Sequence, residues 1–308
     1  MKIAICLSGF IRTWEQSKKS FLVNLVQNNE CDLFIHTYNQ NYFEYSAERS
    51  DIYYTDDEIK EMFGGLNVKK IVIEDRNLIL PELQSESKKF ENFQNYKIRI
   101  KESSEDNDNF VNLGIRIFDQ LRKIHLSNEL RKNYEKESQI KYDFIVKTRF
   151  DVLYVDRINW NIFTEENKVY IGEGGTGGFP DDLVGIGKDE AINAYMDRFL
   201  ELEKMCFSTV MKNEINYINW YTHHNDRIFP IREFCAHDTL IRNIIHKGFD
   251  IKSAGFRNRL IRNETQILNW NRTVINNVTV EPIKITNGVV LSGDNSHFDV
   301  SKFNESLS

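Results

Sequence analysis

The segment richest in chemistry lies near the middle of the chain. An apolar run, Phe144-Ile145-Val146, breaks off into Lys147-Thr148-Arg149-Phe150-Asp151 before apolar residues return at Val152-Leu153. Such a run predicts a strand buried on both faces, and ligands of open α/β sheets bind at the carboxyl ends of such strands. Two cations and a carboxylate at that edge suit a pyrophosphate. Lys147 and Arg149 would neutralise phosphate oxygens, and Asp151 would hold a divalent ion. A surface ion pair would use the same residues; the abruptness of the charge favours the functional reading. Ser8, Gly9 and Arg12 follow the first apolar run. Gly9 lets backbone approach a ligand, and Arg12 can reach a phosphate or stack on a base. A plain strand-to-helix turn with Thr13 as N-cap would employ them equally well. His36 and Thr37 close the second run and would line the same crevice, His36 having a satisfied buried histidine as its other role.

The elements that must position these residues alternate in type. Ile3-Ala4-Ile5-Cys6-Leu7 predicts a buried strand, Trp14, Phe21, Leu22, Leu25 and Val26 a helix, and Leu33-Phe34-Ile35 a second strand. Thr55-Asp56-Asp57-Glu58 forms a capping box for a short helix stopped at Gly64-Gly65, and Val68 to Ile73 predicts a third strand. Residues 81–109 are polar and charged and predict a solvated insertion. A long helix then runs from Phe110 to about Tyr134, ahead of the central strand at 142–147. Val169-Tyr170-Ile171 and Leu183-Val184-Gly185-Ile186 predict strands, Ile192 to Phe199 a helix, and Leu240 to Ile245 another ended by Gly248 before a short strand near Phe249-Asp250-Ile251. The β-α-β-α-β rhythm predicts an α/β fold with a Rossmann-type, mostly parallel sheet flanked by helices. One main domain would span 1–275, with 276–308 packing on it as an extension.

Composition bounds the function classes. The chain has 308 residues, 41% hydrophobic and 28% charged, which excludes a disordered or collagen-like protein. Lys+Arg number 40 against 46 Asp+Glu, a formal net charge of −6. Nucleic acid is therefore a poor partner, because duplex binding rests on a basic face. Cys6, Cys31, Cys206 and Cys235 form no C-x-x-C pair, which argues against a disulfide scaffold or zinc module. The opening apolar run is too short for a signal peptide, and no stretch approaches the roughly 18 apolar residues of a membrane span. The sequons at Asn263, Asn271, Asn277 and Asn304 then read as accidents of an Asn-rich chain. The expected location is cytoplasmic, with peripheral contact at the inner face of the plasma membrane as an option. Gly172 to Gly178 holds five glycines but neither a G-K-[ST] ending nor a following helix, so it reads as a mobile loop and not a phosphate loop. Arg257, Arg259 and Arg262, with Trp270 and Arg272, form a basic run that could meet a diphosphate or anionic head groups, a solvated face being the default.

Four segments in register carry a resemblance. Tyr142-Asp143-Phe144-Ile145-Val146-Lys147-Thr148-Arg149-Phe150-Asp151 resembles the "YD-apolar-apolar-(R/K)-x-R-x-D" segment of a group of bacterial and viral sugar transferases. Ile3 to Thr13 is similar to their "SGxxR(T)" start, Asp32 to Tyr38 to their "DhFhHTW" signature, and Asp182 to Ala191 to a downstream "DxFhhGsxExM" piece. Together they cover roughly residues 3–200 and resemble the GT-A-fold glycosyltransferases of surface-polysaccharide synthesis. The resemblance implies a nucleotide-sugar donor and a glycan or lipid-linked acceptor. It puts Arg149-Phe150-Asp151 where these enzymes carry the D-x-D motif for Mn²⁺ or Mg²⁺. Arg149 replaces the first Asp, so a guanidinium would contact phosphate itself, with Asp151 the clear carboxylate ligand and His297 a candidate added one. The resemblance also implies acceptor hydroxyls at Asp181 and Asp182, with Asp182 counted in the catalytic set. It implies a general base at Asp238 beside His237, just before a helix beginning at Thr239, with Glu233 in reserve. N-cap chemistry would equally explain Asp238. A non-catalytic nucleotide- or glycan-binding module on the same scaffold is the alternative that the missing first Asp supports.

Overall fold

A computed structural model describes residues 1–41, 52–93, 108–174, 182–207 and 236–260. The apolar opening forms β1 (Lys2–Gly9), with Ile3 through Leu7 fully buried. α1 (Trp14–Ser20) continues into a π-helical turn, Phe21–Val26, and buries Trp14, Phe21 and Leu25 on one side. β2 (Glu30–Tyr38) leads into a small antiparallel ribbon of β3 (Gln40–Asn41) and β4 (Ile52–Tyr53). α2 (Asp56–Met62) starts on the expected capping box: the Glu58 N–H donates to Thr55 Oγ1 at 3.2 Å, and the Thr55 N–H donates to Glu58 Oε2 at 2.7 Å. β5 (Val68–Glu74), α3 (Arg76–Ser87) and the long α4 (Asp108–Ser138) follow. The remainder is β6 (Phe144–Thr148), β7 (Val152–Tyr154), β8 (Lys168–Gly174), β9 (Gly185–Gly187), α5 (Asp189–Met196), α6 (Leu202–Phe207), α7 (Ala236–His246) and β10 (Asp250–Leu260).

Eight strands make one sheet in the order β5-β2-β1-β6-β9-β8-β10-β7. β5, β2, β1 and β6 are mutually parallel, β9 runs antiparallel between β6 and β8, and β7 is an antiparallel edge on β10. The fold is α/β with a mostly parallel sheet, and the period of two sorts its core. Ile3, Ile5, Leu7 and Val146 face Trp14, Phe21 and Ile59 on one side. Ala4, Cys6 and Ile145 face Ile124 of α4, Ile192 and Tyr195 of α5 and Leu240 of α7 on the other. Burial pushes the thiols of Cys6 and Cys31 up to about 12, which leaves both inert at neutral pH. Among the described residues no helix is long and apolar enough to cross a membrane.

Three expectations are revised. Residues 81–93 are not an extended polar insertion: α3 runs through Pro81 to Ser87, and Leu83, Phe90 and Phe93 pack on Phe118 and Leu121 of α4. Proline and the density of charge hid an amphipathic face whose apolar members are sparse; residues 94–107 lie outside the described residues. The short strand near 249–251 is an eleven-residue strand that carries Arg257 into the sheet, where it forks onto Asp156 at 2.7 and 2.8 Å. α7 begins at Ala236, earlier than Thr239, so His237 and Asp238 belong to its first turn and do not precede it. The extension at 276–308, and Arg262, Trp270 and Arg272, lie outside the described residues.

Close approach of β8 to β10 has a measurable consequence. A Cβ on Gly172 would meet the Phe256 ring at 2.9 Å and the Asn258 amide closer still. Gly172→Ala is expected to lower stability by about 1–3 kcal/mol, read as a shift of the urea midpoint at unchanged m-value.

Candidate functional site

The chain leaves β1 toward β2 on one side and returns on the other as β6, so the sheet's topological switch point lies between β1 and β6. Both strands present carboxyl ends there, where open α/β sheets hold ligands. Phe150 fixes the turn after β6. It is fully buried against Trp14, at 6.0 Å, and Phe63, at 5.9 Å, and its carbonyl accepts from Ser17 Oγ. Anchoring Phe150 in the core leaves Arg149 and Asp151 to meet each other at the edge. Arg149 donates from Nε and Nη2 to the two carboxylate oxygens of Asp151, each at 2.8 Å, and Arg12 Nη1 adds a contact to Oδ2 at 3.3 Å. The Asp151 side chain is 2% exposed and that of Arg149 19%, so the pair sets a buried anion beside a partly exposed cation at the carboxyl edge of the sheet.

The turn after β1 is backbone-strained in a useful place. Gly9 has φ +115°, and Arg12, which carries a Cβ, has φ +40° in the left-handed region, at a cost of about 1 kcal/mol. Thr37 Oγ1 donates to the Gly9 carbonyl at 2.9 Å and ties the ends of β1 and β2 together. Thr13 makes no side-chain cap for α1. The guanidiniums of Arg12 and Arg76 lie 5.3 and 5.7 Å from the Phe10 ring, and Tyr38 lies 4.9 Å from it. Ser8, Gly9, Arg12, Thr37, Arg149 and Asp151 are thus brought to one edge.

Lys147 is placed apart from that pair. By strand parity it shares the face of Ile145, toward α5, and its buried Nζ donates to the carbonyl oxygens of Asp182 and Leu183. Tyr195 donates its hydroxyl to the same Asp182 carbonyl at 2.9 Å, and Gln120 donates to the Asp182 carboxylate. Lys147 therefore shapes the segment that enters β9. The signal that finds this orientation is the alternation Phe144/Val146/Thr148 against Ile145/Lys147.

Beside this edge lies a largely buried charge network, of which the sequence singles out only His36. Arg122 forks onto Glu74 at 2.7 and 2.9 Å, and Lys123 reaches Glu74 at 3.4 Å and sits 3.1 Å from the centre of the Tyr38 ring. Tyr38 donates its hydroxyl to buried Asp119. His36 lies 3.6 Å from Glu74 and 3.4 Å from Lys123. Burial, reinforced by the Lys123 charge, lowers the His36 pKa to about 3, so the ring is neutral and makes no ion pair at pH 7. Burial opposes ionisation of Glu74, but the Arg122 fork and the Lys123 charge outweigh it and hold the carboxyl at about 2. Glu74 and Arg76 directly follow an apolar strand run, the same pattern that singled out Arg149 and Asp151.

Among the described residues one group, His125, Glu129 and Asp197, brings three ligand-type atoms within 4.8 Å. Lys132 Nζ already bridges Glu129 at 2.8 Å and Asp197 at 2.5 Å, and an ammonium thus holds the place a cation would take. At Asp151 both oxygens accept from guanidinium groups, so the described donor set there does not fit a divalent ion without displacing Arg149. Asp181, Glu233 and His297 lie outside the described residues, as do the side chains of His237 and Asp238. No protein-family model matches the chain, and no curated protein matches it either.

The network predicts a pH response. Unfolded histidine titrates near 6.5 and His36 near 3, so between those values the unfolded chain binds more protons and stability falls as pH is lowered. Glu74 adds a second loss from about 4.5 down to about 2. Urea unfolding at pH 7, 5.5 and 4.5 should show a fall on the order of 2 kcal/mol, and His36→Gln should flatten it over this range.

Proposed function

We propose that this protein is a GT-A-type glycosyltransferase that moves a sugar from a nucleoside-diphosphate sugar to a glycan or lipid-linked saccharide acceptor in surface-polysaccharide synthesis. The observation that supports this reading is the Arg12–Asp151–Arg149 constellation at the switch point between β1 and β6, formed by two of the four segments that resemble these enzymes. In the reaction the acceptor oxygen bonds to the anomeric carbon as the bond from that carbon to the diphosphate oxygen breaks. Positive charge grows on the sugar and negative charge on the leaving diphosphate. Arg149, the more accessible cation, swings from Asp151 to phosphate oxygens, and Arg12 holds the remaining charge, a preorganised stabilisation of the leaving group. Asp151 keeps both guanidiniums aligned until the donor arrives. The divalent ion that the resemblance implies has its place in this scheme taken by Arg149.

Asp238 is the proposed base for an inverting transfer, taking the acceptor proton, with His237 beside it and Asp182 on the acceptor side. Contact with an acidic membrane surface from the cytoplasmic side belongs to the same proposal. A second reading has one observation in its favour: Asp151 is already matched by guanidinium, which suits a non-catalytic nucleotide- or glycan-binding module.

Calorimetric titration with a panel of nucleoside diphosphates tests the shared core of both readings. One diphosphate should bind selectively, and Arg149→Ala should weaken it at least tenfold; unchanged affinity removes Arg149 from the site. Incubation with the matching nucleotide sugar separates enzyme from module, because only the enzyme releases nucleoside diphosphate slowly in the absence of acceptor. Asp238→Asn should leave donor binding intact and reduce transfer by at least a hundredfold, read as product formation per enzyme.

A further inference from the structure

Arg198 is fully buried in the short 3-10 turn Asp197–Phe199 after α5, and none of its three guanidinium nitrogens has a hydrogen-bond partner among the described residues. Its neighbour Asp197 does not serve it: that carboxylate is directed to His125, Asn128 and Lys132. The same fold shows how it completes a buried arginine that serves structure alone. Arg131, equally buried, donates to Asn128 and Asp189 at 2.9 Å each, to Asn193 at 2.7 Å, and to Glu135. Arginine cannot shed its proton as a buried lysine or histidine can, so burial of Arg198 leaves a permanent charge whose donors are unmet among the described residues. Such a charge is strongly unfavourable until an anion joins it.

The surroundings define what that anion is. The guanidinium carbon lies 4.9 Å from the centre of the Tyr195 ring, and Lys147 Nζ lies 5.6 Å from the same centre. With the Tyr195 ring on one side, the unmet guanidinium fork favours a compact group with two or more oxygens, gripped in bidentate fashion. We infer that Arg198 anchors a buried oxyanion site that takes the carboxylate or phosphate of a small acidic ligand. This site is separate from the Arg12–Asp151–Arg149 crevice and does not rest on the function proposed for it.

Thermal unfolding of the full chain with inorganic phosphate, glucuronate or, as neutral control, glucose tests the inference. At least one oxyanion should raise the melting temperature while glucose does not; which one responds tells a phosphate ligand from a carboxylate ligand. Arg198→Met should abolish the response and, freed of the unmatched charge, should melt no lower than the unliganded wild type. Arg198→Lys, which keeps the charge and loses the fork, should bind the responding anion at least tenfold more weakly. Arg149→Ala should keep the full response. The inference is overturned if neither oxyanion stabilises the wild type, if Arg198→Met retains the response, or if that variant melts lower without ligand, since the charge is then matched inside the chain. Loss of the response in Arg149→Ala alone places the anion at the crevice and overturns it equally.

Discussion

Parallel pairing of β1 on both of its edges is the constraint from which the site follows. With β2 on one side and β6 on the other, the carboxyl ends of three strands fall in line. The turns that leave them must then deliver Gly9, Arg12, Thr37, Arg149 and Asp151 to one rim. The rim is held from beneath by an apolar residue: Phe150, locked against Trp14 and Phe63, decides where its two charged neighbours go. Removing that ring from the core would free the turn after β6, so the charged constellation depends on aromatic packing that no polar residue supplies.

The rim is also heavily charged by the standards of a protein interior. Asp151, Glu74 and Asp119 are held near Arg12, Arg149, Arg122 and Lys123. Buried pairs of this kind contribute little net stability against apolar residues of the same volume, since desolvation offsets most of the attraction. Their presence at the carboxyl edge, and not in the apolar layers, fits a function that requires fixed charges. The strained φ of Arg12 belongs to the same pattern, a local cost carried where a side chain must be aimed.

Much of this was legible from residue order, for identifiable reasons. The strand runs at 3–7 and 33–35 are apolar because both faces are covered, the edge strand at 68–73 keeps lysines and a half-exposed surface, and the capping box at Thr55–Glu58 is a local device needing no tertiary partner. Lys147 read differently, because a run of charges after a strand looks uniform until parity assigns each one a face. α3 was obscured by Pro81 and by apolar positions spread thinly among Glu, Ser and Lys. β7 and the full length of β10 are not legible because β10 pairs with β8 on one edge and β7 on the other, non-local contacts that short windows do not encode. Glu74, Arg122 and Lys123 are 48 and 49 positions apart in sequence, and only the fold shows that they form one network.

α4, with 31 residues, extends for about 46 Å at the usual helical rise. Within two of its turns Asp119 grips the end of β2 through Tyr38, Arg122 and Lys123 grip the end of β5, and Gln120 grips the approach to β9. The two flanks of the crevice are therefore pinned to a single rigid rod. Hinging at the switch point would break either the Gln120–Asp182 hydrogen bond on one flank or the Glu74 ion pairs and the Tyr38–Asp119 bond on the other. For the donor site proposed at this edge, discrimination by size would then fall to the rotamers of the rim itself.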